Sequence, residues 1–398
     1  MKPRIFINMH YMEIGGAERA LLGLLNAIDT DKVDVDLFIN QHTGEFMKLI
    51  PEKINLLPEI SAYSVIEKPI TTAIKKGHFG IAFARILAKL HHKYFSEKAL
   101  EVIDDYSIFH YVAKYTTPLL PSLKKYGEYN LAISFLMPHN IVKDKVCARK
   151  KIAWIHTDYA TININPTAEL PIWNKFDNII SISTDVTKSY MAVFPSLKNR
   201  IIEIENILSP TLIKQQATLF PPNEMHDNLL KICSIGRFCF QKNFENIPYI
   251  AQILKEKGLN FRWYIVGFGK TSETIENIKK TNTADCVILL GKKENPYPYI
   301  SNCNIYVQPS RYEGKSVTVR EAQILGKPVI ITNYPTAKSQ VQDGIDGIIC
   351  GMDNNSIADA IYNLATDKNK QTGISEYLLS HDYGNMSEIE KIYNLIDA

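Results

Sequence analysis

The sequence predicts an α/β protein made of two domains, each a parallel sheet covered by helices. Three observations carry that prediction. Short β-branched runs alternate with longer segments of helical period along almost the whole chain, the pattern of strands that reach their neighbours through helical crossovers. The chain has 398 residues, more than one ordinary core organises, and roughly 100 to 200 residues per domain gives two. A proline-rich stretch near the middle interrupts the pattern.

In the first half, strands are expected at Arg4 to Met9, Val33 to Ile39, Asn130 to Phe135, Lys151 to Ile155 and Asn178 to Ser183. In the second half they are expected at Lys231 to Ile235, Phe261 to Val266, Val287 to Leu290, Asn304 to Val307, Pro328 to Thr332 and Gly347 to Ile349. Between the halves stand Ser209-Pro210 and Pro221-Pro222-Asn223. Proline removes a backbone donor and restricts the residue before it, so neither sheet runs through this region, and the hinge is expected between 205 and 228. The predicted domains are 1–205 and 206–384. Met386, Ile389, Ile392, Tyr393 and Ile396 have helical spacing, which predicts a terminal helix over 385–398 that packs back on the first domain.

Composition narrows the class. Hydrophobic residues make up 45% and charged residues 22%, which fits a folded globular protein and neither a disordered nor a fibrous one. A net charge of +3 gives no basis for nucleic-acid binding. The six cysteines form no CxxC pair and have no suitable histidine partners, so they read as reduced thiols rather than metal ligands. The apolar run after Met1-Lys2-Pro3-Arg4 is too short for a signal-peptide core, and no stretch approaches the roughly 18 apolar residues of a membrane span. A cytoplasmic protein is expected.

Several loops have the composition of binding sites. Gly15-Gly16-Ala17-Glu18 stands between the first strand and a helix with apolar Leu21, Leu22, Leu25 and Ile28. A glycine pair at a helix start lets backbone amides approach an anion, though a plain tight turn reads as well. In the second half Arg237 and Lys242 follow a strand, where open α/β sheets bind ligands, and their chemistry suits a diphosphate. The segment Gln308 to Ser316 leaves another strand, and Ser316 is expected to cap a helix over 317–325. Glu313 lies in that loop and Glu321 a turn into the helix, so both carboxylates are expected to face one crevice, where they suit the hydroxyls of sugar and ribose. Two nucleotide motifs are near misses: Gly267-Phe268-Gly269 lacks the third glycine of a dinucleotide fingerprint, and Gly269-Lys270-Thr271 lacks the leading P-loop glycine. Asp34-Val35-Asp36 alternates with apolar residues at a strand start and reads as a solvent face rather than a metal site.

Arg237 with Lys242-Asn243, then Val266-Gly267-Phe268-Gly269, then Glu313 and Glu321 separated by seven residues, resemble the nucleotide-sugar half of the retaining GT-B glycosyltransferases of family 4. The Gly15-Gly16-Ala17-Glu18 turn resembles that family's acceptor-side domain. The resemblance implies two Rossmann-like domains facing each other across a cleft. It also implies transfer, with retention, of a hexose or N-acetylhexosamine from a nucleotide diphosphate sugar, most commonly a UDP-sugar, to a glycan or lipid-linked acceptor in surface polysaccharide synthesis. No metal or other cofactor is implied. Arg237 and Lys242 would hold the diphosphate, Glu321 the ribose and Glu313 the transferred sugar, with Gly15, Gly16, Gly267, Gly291, Gly314, Lys315 and Ser316 along the donor. His156, at a strand end in Trp154-Ile155-His156-Thr157-Asp158, resembles the family's cleft histidine, and Asp158 would orient it or the acceptor. Lys315 and Ser316 replace the aromatic residue and glycine found in many members, which alters the expected sugar pocket.

Glycosyl transfer develops positive charge on the sugar and negative charge on the departing diphosphate, so fixed cations beside the leaving group are the expected catalytic device. A nucleotide-sugar epimerase or hydrolase of the same shape, or a catalytically silent binding module, has the same motifs and stays open. One further segment stands out. From 75 to 98, Lys75, Lys76, Arg85, Lys89, Lys93 and Lys98 outnumber the single acid Glu97, with Ile81, Phe83, Ile86, Leu87 and Leu90 between them. Such a helix suits an anionic membrane surface, and equally a helix packed on its own domain with a solvated basic face.

Overall fold

The computed structural model describes residues 2–96, 106–160, 162–313 and 315–397. It divides into two compact units, Met1–Ile207 with Met386–Ala398, and Leu208–Asn385. The sequence-derived boundary at 205 thus falls two residues short of the chain's crossing between Ile207 and Leu208.

The first unit is a seven-stranded parallel sheet in the order β3-β2-β1-β4-β5-β6-β7. Its strands are β1 (Arg4–Met9), β2 (Asp34–Ile39), β3 (Asn55–Leu56), β4 (Glu128–Ser134), β5 (Cys147–Ile155), β6 (Asn178–Ser181) and β7 (Ile201–Glu203). β1 lies in the interior of the sheet between β2 and β4, and Ile5 to Met9 are buried without a break, as a strand covered on both faces requires. Its Ile5 pairs with Val35 on one side and Leu131 on the other. β3 and β7 have two and three residues, too short for any periodicity to show in the sequence. The Asp36 carboxylate is tied into the sheet: it meets Arg4 at 2.8 Å, the Tyr129 hydroxyl at 2.6 Å and the Asn55 amide at 2.6 Å. The terminal helix Ile389–Asp397 belongs to this unit, where the Tyr393 hydroxyl accepts from the Asp29 amide at 2.7 Å.

The second unit is a six-stranded parallel sheet in the order β10-β9-β8-β11-β12-β13. Its strands are β8 (Leu230–Phe238), β9 (Phe261–Gly269), β10 (Val287–Gly291), β11 (Ile305–Gln308), β12 (Val329–Thr332) and β13 (Ile348–Cys350). Chain order reverses between β8 and β11, as it does between β1 and β4 in the first unit. In open α/β sheets ligands bind outside the carboxyl ends of the strands at such a switch point.

β8 and β9 run three residues beyond the expected ends at Ile235 and Val266, pairing continuously from Leu230 with Phe261 to Phe238 with Gly269. Arg237 therefore lies at the carboxyl end of β8, one residue before its last. Gly267 makes the extension possible, because a Cβ there would sit 1.9 Å from the Gly236 carbonyl oxygen. Gly267→Ala is expected to push the two strand ends apart and destabilise the second unit by about 2 kcal/mol or more, as overpacking does, with chemical denaturation as the measurement.

Candidate functional site

The carboxyl ends of β8 and β11 in the second unit carry the residues that the sequence marked. Gly236 leaves room for the Lys242 stem, whose Cδ and Cε lie 3.3 Å from where a Cβ at 236 would stand. The chain then turns through Phe240–Lys242 into Asn243, held at φ 60°, a left-handed conformation that asparagine tolerates better than most residues. The Asn243 side chain donates to the Pro309 carbonyl at 3.0 Å, and the Arg311 amide donates to the Gln241 carbonyl at 2.8 Å. The loop after β8 is thereby fastened to the loop after β11.

Glu313 is the centre of this junction. Its Oε1 meets Lys242 Nζ at 2.5 Å and accepts from the Ser310 hydroxyl at 2.6 Å, while Oε2 accepts from the Gln241 amide at 3.2 Å. The Thr336 hydroxyl bonds its main-chain carbonyl at 2.7 Å. Exposure of the two charged side chains is 17% for Lys242 and 6% for Glu313, so the pair is largely removed from water and each charge depends on the other. A buried relay continues behind it: Gln308 donates to Ser310 at 2.9 Å and accepts from the Tyr306 hydroxyl at 2.9 Å.

Glu321 is fully buried on the helix Val317–Ile324 and accepts from the Tyr297 hydroxyl at 2.9 Å. Ser316 precedes that helix, but the expected side-chain cap does not form; its hydroxyl pairs with Thr318 Oγ1 at 3.2 Å. The Gln340 amide instead holds the Ser316 backbone at both ends, accepting from its N–H at 3.0 Å and donating to its carbonyl at 2.5 Å. Arg237 and Lys315 are exposed, Gly291 has φ 71° at the end of β10, and Gly314 lies outside the described residues. Gln241, Ser310, Tyr297, Thr336 and Gln340 were missed from the sequence. The alternation of Gln308 and Ser310 at a strand end was the one available signal.

In the first unit, the turn Gly15-Gly16 opens the helix Gly16–Ala27, and the carboxylate against it is the chain's own. A Cβ on Gly15 would stand 2.1 Å from Glu18 Oε2, and Glu18 is buried. Negative charge at this helix start is supplied from within, so the diphosphate reading rests on the second unit. Beside the turn, His10 Nδ1 meets Glu67 Oε1 at 2.6 Å. Burial opposes charge on both groups, but each partner outweighs it, so the His10 pKa is raised and that of Glu67 lowered.

His156 stacks near Phe135 and Trp154, with ring centroids 4.6 Å and 6.0 Å away. A hydrogen bond to the Phe135 backbone orients it, and burial pushes its pKa down to about 3. Its Nε2 is buried with no hydrogen-bond partner. Asp158, exposed nearby in the chain, accepts from the Ala160 amide at 2.9 Å. Neighbouring His139 bonds Ser134 Oγ at 2.8 Å and is likewise held near 3, by burial first and then by the charges of His10 and His156. Burial lifts Glu169 to about 7, against the Trp173 indole N–H at 3.4 Å. His10 and His139 follow β1 and β4 at the switch point, a position that could have marked them from the sequence.

Removing Lys242 leaves a buried, unpaired carboxylate, so Lys242→Ala is expected to lower stability by about 3 kcal/mol. The double variant Lys242→Met with Glu313→Gln should recover most of that loss in denaturant titration. The unfolded chain protonates His156 near 6.5 and the folded chain only near 3. The stability its neutral form contributes is therefore full above pH 6.5 and lost as pH falls toward 3. His156→Phe is expected to flatten the acid limb of the stability curve over that window, read by thermal melts across pH.

Residues 215–379 match the family model for glycosyl transferases group 1. An uncharacterised glycosyltransferase of Haemophilus influenzae is 25% identical over 406 residues, covering 98% of each chain. The capsular polysaccharide biosynthesis glycosyltransferase CapM of Staphylococcus aureus is 29% identical over 36% of this chain and 38% of its own. Among solved structures, S. aureus TarM in complex with UDP and alpha-GlcNAc-glycerol superposes with a TM-score of 0.66 at 14% identity, covering 100% of both chains. The second unit thus matches the glycosyl transferases group 1 model over most of its length, and with its two Rossmann-like α/β units the chain is a glycosyltransferase of the GT-B fold.

Proposed function

We propose that this glycosyltransferase moves a hexose or N-acetylhexosamine from a UDP-sugar to a glycan or lipid-linked acceptor in surface polysaccharide synthesis. The reading includes retention of the anomeric configuration, no metal or other cofactor, and work at the cytoplasmic face of a membrane. One observation carries it: inside the group 1 domain, a cation, a carboxylate and a cluster of hydroxyl and amide groups converge where β8 and β11 end. The capsular role of CapM and the UDP bound to TarM are properties of those proteins that agree with it.

In this scheme the bond between the anomeric carbon and the diphosphate oxygen breaks, and the negative charge that develops on the leaving group falls to Arg237 and Lys242. Arg237 is exposed and thus accessible to a diphosphate. Lys242 is held by Glu313, so its ammonium stays fixed in place and can share its remaining protons with a phosphate oxygen. Glu313 takes a sugar hydroxyl with the lone pairs that Lys242, Ser310 and Gln241 leave over. Glu321 serves the ribose, and in the first unit neutral His156 keeps a buried Nε2 without a hydrogen-bond partner. With cations performing the charge neutralisation, the scheme needs no divalent ion.

A panel of nucleotide sugars is expected to yield one donor that raises the melting temperature with concentration, since a ligand bound only by the folded state stabilises it. With that donor, Arg237→Ala should melt as the native protein does yet lose about 100- to 1,000-fold in kcat/KM, the usual effect of removing one fixed electrostatic stabiliser. Donor turnover that proceeds equally without an acceptor would point to the epimerase or hydrolase reading instead.

A further inference from the structure

The helix Phe79–Ser96 in the first unit is apolar on two faces. One face, with Ile81, Ala82, Ala84 and Ala88, is buried in the unit. The other is not covered: Phe79, Phe83, Ile86, Leu90 and Tyr94, spaced every third or fourth residue, are 66%, 62%, 45%, 61% and 60% exposed. Five large side chains in one solvent-facing stripe exceed what packing explains, because contiguous exposed apolar surface on this scale marks an interaction site. Leu119, itself 51% exposed, lies 3.7 Å from where a Cβ on Gly80 would stand and widens the stripe at its start.

Charge identifies the occupant. Lys75, Lys76, Lys89 and Lys93 flank the stripe and are exposed, and no acidic residue occurs anywhere from 70 to 96. Glu97 and Lys98, part of the same expected segment, lie outside the described residues. Among the described residues no helix is long and apolar enough to cross a membrane, so the stripe fits a helix lying in the interface, aromatic and aliphatic groups inward and lysines at the headgroups. The same helix also reaches a second feature. Arg85 and Lys89 line a recess of about 400 Å³ with Tyr11, Glu67 and Phe109 at the carboxyl end of β1. In that recess Arg85 is 9% exposed and its Nε has no partner.

We propose that this helix docks the enzyme on an anionic lipid bilayer and brings the recess to the membrane surface, where a lipid-linked saccharide acceptor enters it. Lys89 belongs to both the basic flank and the recess wall, which makes the membrane contact and the acceptor entrance continuous. The second half of the proposal rests on the acceptor assigned above; the membrane contact does not.

The test is sedimentation of the full chain with phosphatidylcholine vesicles and with vesicles rich in phosphatidylglycerol, alongside melting with UDP. Strong binding to the anionic vesicles is expected, with Lys75→Glu/Lys93→Glu weakening it by roughly 30-fold or more, from a factor of about five per lysine. Phe83→Glu/Leu90→Glu should abolish it. Both variants change exposed side chains and should keep the native melting temperature and any shift produced by UDP, so a failed membrane contact is distinguishable from a failed donor assignment. Equal binding to both vesicle types, no binding to either, or a Phe83→Glu/Leu90→Glu variant that sediments like the native protein would overturn the proposal. So would a native dimer in light scattering that the same variant dissolves without any vesicle binding, since a second copy would then cover the stripe.

Discussion

The second unit depends on one contact between unlike charges, Lys242 with Glu313 at 2.5 Å, set where little water reaches. A largely buried ion pair stabilises a fold poorly by itself, because desolvating two charges costs about what their attraction returns. Its value here is positional. Lys242 comes from the loop after β8 and Glu313 from the loop after β11, so the pair fixes the distance between two loops that the sheet alone leaves free. The hydrogen bonds from Ser310 and Gln241 to the same carboxylate make the arrangement hold only in one geometry, as fully satisfied buried networks do.

The constraint reaches back into the sheet. Lys242 can fold against the strand end only because residue 236 is glycine, and β9 can stay paired with β8 there only because residue 267 is glycine. Two side chains absent from the strands thus decide where the Lys242 cation comes to rest. In the first unit the corresponding ends of β1 and β4 are stocked differently, with His10, His139 and carboxylates. Burial and pairing settle their protonation: His139 stays neutral on Ser134 and His10 leans on Glu67.

The sequence was most informative where a run of residues shared one environment. β1 is legible because Ile5 to Met9 are all buried, and each of the eleven expected strands corresponds to a strand of the structure. Legibility failed where a neighbour made the decision. β7 exists because Ile201 and Ile202 find Ile179 and Ile180 beside them, a partnership that a three-residue run cannot announce. β8 and β9 overrun their expected ends because two glycines meet face to face. In the candidate site the charged and acidic residues were legible by type and spacing, while Gln241, Ser310 and Gln340 were not, since amides and hydroxyls are too common to stand out until a partner is seen. Ser316 was read as a cap from its place before the helix, yet its hydroxyl found Thr318 first.

The return of Met386–Ala398 to the first unit has a consequence for how the gene product can be cut and rebuilt. The second unit is an insertion, entered at Leu208 and left at Asn385, and the Asn385 side chain accepts from the Leu208 amide at 2.8 Å. Its two ends are therefore clasped together, so the segment can be lifted out between adjacent termini, or replaced by another insert of similar span, without stretching either join. Clipping the last dozen residues, by contrast, strips the first unit of the helix whose Tyr393 hydroxyl receives the Asp29 amide, and the damage appears at the opposite end of the sequence from the cut.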